Sequence, residues 1–108
     1  MKKYYSAHQR KGFRILESFG FDVSKREWIG IDKDVPYLRW HSGLSVLIVW
    51  FYPGSESFYM HLMSGEQFET VYSVTCEKTN TLPYHILRAA ECLKCLDINL
   101  SDLTDKTI

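Results

Sequence analysis

Leu44-Ser45-Val46-Leu47-Ile48-Val49-Trp50-Phe51-Tyr52 is the stretch on which the fold turns. Eight of its nine residues are apolar or aromatic. β-branched and aromatic side chains fit a pleated surface better than a helix. The run is also far too short to span a bilayer, which takes about 20 apolar residues in a helix. Alternation normally marks a strand with one wet face, and here both alternate sets, Val46, Ile48, Trp50 and Leu47, Val49, Phe51, are apolar. A strand of that kind sits in the middle of a sheet and needs cover on both faces.

Shorter strands are expected on either side of it. Upstream, Glu27 to Asp32 and, after Pro36, Tyr37 to His41 read as strands, with Ser42-Gly43 as a tight hairpin turn. Downstream, Pro53-Gly54 fits the centre of a type II turn, followed by strands Ser57 to Met63 and Gln67 to Cys76 around Ser64-Gly65-Glu66. Connections this short favour neighbouring antiparallel strands, so the expectation is a roughly five-stranded meander with residues 44–52 near its middle.

A helix is expected at each end. Tyr5, His8, Gly12, Ile15, Leu16 and Phe19 recur at helical spacing, Gly12 suggests close packing, and Gly20 is placed to end the helix. Pro83 suits a first turn, and Ile86, Ala89, Ala90, Leu93 and Leu96 make the apolar stripe of a helix over about 83–96 that Asn99 stops. Residues 101–108 read as a frayed tail that Leu100 and Leu103 can tack down. The fold class expected is α+β, one domain over 1–108, with two helices on one sheet face.

Composition agrees with a compact domain. The chain has 108 residues, 45% of them hydrophobic and 16 of them aromatic. Its net charge of zero is a cancellation. Residues 1–26 carry seven basic and two acidic side chains, a net +5, whereas residues 27–108 carry six basic and eleven acidic, a net −5. The run Met1 to His8 lacks the apolar core of a signal peptide, and the three cysteines form no disulfide framework. A reducing, cytoplasmic setting and no membrane partner are the corresponding expectations.

Four groups of residues bear on function. Strand alternation separates Tyr37, Arg39 and His41 from Leu38 and Trp40, and Tyr59, His61 and Met63 from Phe58, Met60 and Leu62. If the second sets face the helices, the first form an outward face, to which the central strand adds one of its two sets, with Trp50 in one of them. Aromatics, Met and Arg with few Lys or Glu have the composition of a protein-binding surface. The second group is a basic stripe, Lys3, Arg10 and Arg14 with Lys11 beside it, which suits phosphates or an acidic partner and equally suits a solvated helix face.

The third group is Cys92 and Cys95, three apart on a helix, with His85 two turns before Cys92. Two thiols and an imidazole are three of the four ligands of a zinc site, with His61 or Cys76 as the fourth, but small apolar core residues are the plainer reading. The fourth is Asp32 and Asp34, which with Glu17 or Glu77 resemble a Mg²⁺-binding carboxylate set and equally resemble turn chemistry. No phosphate-cradling glycine pattern or other motif fixes a reaction.

The leading expectation is therefore a small non-enzymatic protein-binding module of the regulatory or inhibitor kind found in bacteria or phage. It would need no cofactor and act through the aromatic face and the basic helix, with self-association included. The alternative is a single-stranded nucleic-acid-binding domain, in which the aromatics stack bases while Arg39 and the basic helix hold phosphates. A small metal-dependent nuclease or hydrolase is the third.

Overall fold

The structure is a computed structural model describing residues 5–24, 27–29, 35–52 and 54–104, with the backbone alone for 27–29, 35, 36 and 76. In chain order it contains α1 (Ala7–Ser18), β1 (Glu27–Ile29), β2 (Val35–Ser42), β3 (Ser45–Phe51), β4 (Ser57–Ser64), β5 (Glu69–Lys78), a 3-10 turn over Thr79–Thr81, α2 (Leu82–Lys94) and α3 (Leu100–Thr104). The sheet order follows the sequence, β1-β2-β3-β4-β5, with every neighbour antiparallel. The apolar run is the central strand, as its two-sided composition implies.

Helix α1 starts two residues after Tyr5 because Ser6 caps it. The Ser6 hydroxyl accepts from the Gln9 N–H, and the Gln9 side chain accepts from the Ser6 N–H at 2.8 Å, a reciprocal capping box. Gln9 is buried, and its Nε2 also donates to the Phe51 carbonyl at 3.1 Å, tying the helix start to the end of β3. The far end closes as a Schellman motif. The Gly20 N–H bonds the Glu17 carbonyl and the Phe21 N–H that of Leu16, with Gly20 at φ +95°. Gly12 lies against the Phe51 ring, so closely that an added Cβ would sit 2.2 Å from it.

Turn chemistry displaces several expected boundaries. The β2–β3 hairpin turns on Gly43-Leu44 between the paired Ser42 and Ser45, one residue later than expected, with Gly43 supplying the positive φ of +57°. The type II turn expected at Pro53-Gly54 falls on Pro53, which lies outside the described residues. The residues that flank the connection are joined by the Tyr52 N–H donating to the Ser57 carbonyl at 3.1 Å. The β4–β5 turn runs through Phe68 at φ +51°, so β5 begins at Glu69 and continues past Cys76 to Lys78.

Helix α2 ends before Leu96. The Ile98 N–H reaches back to Leu93 and the Asp97 N–H to Lys94, with Asp97 in the left-handed conformation at φ +59°. Leu96 is thus past the helix and exposed. Asn99 opens α3 where a stop was expected. Its carbonyl accepts from the Asp102 N–H, and its N–H donates to the Asp102 carboxylate. Leu103 is 3% exposed and anchors α3 in the core, while residues 105–108 lie outside the described residues.

One sheet face carries the core. Leu38 and Trp40 of β2, Leu47, Val49 and Phe51 of β3, and Phe58, Met60 and Leu62 of β4 are all buried on it. Phe13 and Leu16 of α1 and Leu82, Ile86, Ala89 and Leu93 of α2 cover them. The two expected helices do share that face, and α3 packs beside them against β2. The segment after α1 completes the cover, with Phe21 against the Trp40 ring at 4.5 Å and the Trp40 indole N–H donating to the Asp22 carbonyl at 3.0 Å.

Candidate functional site

Among the described residues, no helix lies on the opposite face. Strand pairing lays its side chains in three rows, Tyr37–Trp50–Tyr59–Thr75, Arg39–Ile48–His61–Ser73 and His41–Val46–Met63–Thr70. The residues singled out by alternation on β2 and β4 share this face, and β3 contributes Val46, Ile48 and Trp50 to it. Leu47, Val49 and Phe51 are the set turned to the core. Arg39 and His41 are exposed, whereas Tyr37, Ile48, Trp50, Tyr59, His61 and Met63 are half-buried by one another. Val46, flanked by His41 and Met63, is 5% exposed.

The centre of the face is ordered by direct contacts. Trp50 and Tyr59 are cross-strand partners, with ring centroids 4.1 Å apart and planes 20° from parallel. One face of each ring is therefore already covered by the other. The Tyr59 hydroxyl lies 2.9 Å from His61 Nδ1, and His61 Nε2 lies 2.8 Å from Thr70 Oγ1. An imidazole with a single N–H satisfies both bonds, donating at one nitrogen and accepting at the other. Burial, with Tyr52 nearby as a smaller cause, pushes the Tyr59 phenol above its ordinary pKa, so it remains a neutral hydrogen-bonding group. Trp50, Tyr59, His61 and Thr70 form a connected, pre-arranged patch spanning three strands.

The basic stripe lies elsewhere. Arg10, Lys11 and Arg14 are exposed on α1, which packs against the core face. The Arg10 guanidinium also donates to the Tyr5 carbonyl. Lys3 lies outside the described residues. Sheet and helix layer together separate stripe and aromatic face by roughly 20 Å, since each layer is about 10 Å thick. The two lie on different layers of the fold.

The thiols are not gathered with the imidazole. Cys92 is half-buried and Cys95 exposed, both free, beside a cleft of about 160 Å³ with Arg88 and Glu91. His85 is turned away into the fold, with Nδ1 2.6 Å from the Tyr72 hydroxyl and Nε2 3.4 Å from the Glu77 carboxylate. His61, the first proposed fourth ligand, is on the opposite sheet face. The Cys76 side chain lies outside the described residues. Among the described residues no three His, Cys, Asp or Glu side chains are placed to share a metal ion. Asp32 and Asp34 also lie outside them, Glu17 is exposed on α1, and Glu77 belongs to His85.

The Tyr72–His85–Glu77 cluster was not legible in the sequence. Plain alternation puts Tyr72 and Glu77 on opposite faces. The register shift between Phe58 and Tyr59 leaves Cys76 without an opposite residue, a β-bulge that returns Glu77 to the side of Tyr72. Burial raises the Tyr72 pKa, and Tyr84, Cys92 and Glu77 add to this against the opposing pull of Arg88. A long helix spacing back from Cys92 pointed to His85, but nothing local pointed to its two strand partners.

No helix among the described residues is long and apolar enough to cross a membrane. Compared with family models, curated proteins and solved structures, the chain matches none of them.

Proposed function

We propose that the chain is a small protein-binding module that acts by occupying a surface of a partner, with the sheet face opposite the helices as its contact. The observation that carries this reading is the pre-arranged patch at the centre of that face. Trp50 stacks on Tyr59, Tyr59 bonds His61, and His61 bonds Thr70, with Ile48 and Met63 beside them. Aromatic anchors whose geometry is fixed before binding lose little conformational entropy on binding. A regulatory or inhibitory role fits a domain that presents such a face to a partner. Cytoplasmic residence belongs to the same reading and is supported by the free thiols of Cys92 and Cys95.

Nucleic-acid binding is less well supported. A base needs an open ring face, and Trp50 and Tyr59 each spend one on the other. The helix meant to hold phosphates is on the far layer.

The test is Trp50→Glu, which alters the outer face without touching the core. The variant is expected to keep the circular dichroism and unfolding curve of the parent and to lose the proteins that the parent captures from nuclease-treated native lysate. Capture of the same proteins in the same amounts would overturn the reading. If the partner is a second copy, sedimentation shows a dimer that Trp50→Glu dissolves. If it is a single-stranded oligonucleotide, binding weakens steeply with salt and the protein-binding proposal falls.

A further inference from the structure

Two thiols that the core does not use sit together at the end of α2. Cys92 is half-buried and Cys95 exposed, and neither belongs to the apolar cluster under the helices. Cys92 lies in the last turn of α2, and Cys95, its C-cap, keeps helical backbone angles at φ −65° and ψ −17°. Residues three and four apart on a helix share a face. Arg88, Glu91, Cys92 and Cys95 therefore form one stripe, and all four border a single shallow cleft of about 160 Å³.

The spacing decides what the pair can hold. A helix sets the Cβ atoms of such neighbours about 5–6 Å apart. A disulfide needs them at about 3.5–4.5 Å, so closing one would draw in the last turn. A single metal atom between the sulfurs spans more. It replaces one S–S bond of about 2 Å by two metal–sulfur bonds of about 2.3 Å each, with zinc thiolates as the measure. The number of ligands then limits the metal. A structural zinc ion takes four, and among the described residues no third His, Cys, Asp or Glu is gathered with these two. Monovalent copper is soft, prefers thiolate sulfur and accepts two of them in a line.

We propose that Cys92 and Cys95 bind a monovalent copper ion between their sulfurs. Each thiol releases its proton to water as its sulfur bonds the metal, and the copper stays monovalent throughout. Two thiolates and one cation leave a single negative charge, which the last turn of a helix disfavours. The cations beside the site offset it. Arg88 borders the same cleft one turn before Cys92 and forms no ion pair with a described residue, and Lys94 stands in the last turn. The site is on the helix layer and does not depend on the function proposed for the sheet face.

The experiment offers monovalent copper to the reduced full chain without oxygen, from a chromogenic copper chelator and in the presence of excess glutathione. An excess monothiol strips copper from an isolated protein thiol but not from two held one turn apart, where the second bond forms at high effective concentration. The parent is expected to withdraw a single copper ion per chain, with two sulfur neighbours in its X-ray absorption spectrum. Cys92→Ser and Cys95→Ser, both outside the core, are each expected to weaken binding by more than about a hundredfold, the upper end for losing a group that only supports a metal ligand. Arg88→Gln is expected to weaken it about tenfold, and Arg88→Lys to restore most of that loss, because the charge is what Arg88 supplies. The proposal is overturned if the parent takes no copper under these conditions, or if either serine variant binds as the parent does, which is the signature of isolated thiols. It is also overturned if zinc, offered from its own indicator, binds as tightly as copper, because that requires ligands beyond these two.

Discussion

Gly12 shows how a single residue can set the distance between layers. Alanine is the better helix former by about 1 kcal/mol, so a substitution judged on propensity alone should stabilise α1. Packing opposes this, because an added Cβ would sit 2.2 to 2.8 Å from three atoms of the Phe51 ring. Phe51 has no room to give, being fully buried between Phe13 at 5.4 Å and Phe58 at 6.3 Å. Overpacking of this kind costs about 1–3 kcal/mol, so Gly12→Ala is expected to be net destabilising by up to about 2 kcal/mol. Urea unfolding checks it, and a midpoint equal to or above the parent's would mean that helix and ring can separate freely. Gly20 acts differently, serving conformation at φ +95° where Gly12 serves contact.

At the scale of elements, hydrogen bonds from buried or half-buried side chains join pieces that the backbone leaves separate. Gln9 ties α1 to β3, Trp40 ties β2 to the segment after α1, and Tyr72 with His85 ties β5 to α2. Tyr59 and Tyr72 both have pKa values raised from 10.0, chiefly by burial. A raised pKa means that the folded state holds the phenol proton more tightly than the unfolded chain does. The resulting stability is fully present below about pH 10 and is lost as pH rises through the folded-state values. Stability to urea is therefore expected to fall above pH 10 in the parent, and to fall less in Tyr59→Phe and Tyr72→Phe. An identical alkaline slope in all three chains would show that neither phenol contributes. Tyr72→Phe also removes the bond to His85, worth about 1 kcal/mol at neutral pH, with the α2–β5 contact as the place affected.

At the scale of the molecule, the chain is built in two layers with different surfaces. The sheet shows aromatics, Met and Arg on one side, and the helices show the basic stripe on the other. Proteins captured through the sheet face should therefore be indifferent to the stripe. Arg10→Glu together with Arg14→Glu is expected to leave that binding within about twofold at moderate salt, because screening acts over about 10 Å. Loss of the partner in this double variant, comparable to that in Trp50→Glu, would place the contact on the helices. The same two-layer arrangement makes Cys95, exposed after α2, the faster thiol to alkylate and half-buried Cys92 the slower, which timed mass spectrometry of the labelled chain resolves.

Much of the fold was legible because it rests on local periodicity. The two-sided apolar run at 44–52 specified a central strand, and alternation at 37–41 and 57–63 placed Tyr37, Arg39, His41, Tyr59, His61 and Met63 on one face. A strand's period of two leaves no other arrangement once one set is in the core. Boundaries were less legible, as at Gly43-Leu44 and Asp97, because the conformation of one or two turn residues decides them. Three features depended on the tertiary structure alone. Which set of β3 faces outward follows from where α1 lands, and the separation of the basic stripe from the aromatic face follows from the layer between them. The Tyr72–His85–Glu77 cluster follows from a bulge at Cys76. The sequence by itself determined which residues could share a face, through rules that act between near neighbours. Which faces meet, and which stay open, was decided by packing between residues far apart in the chain, where no local period reaches.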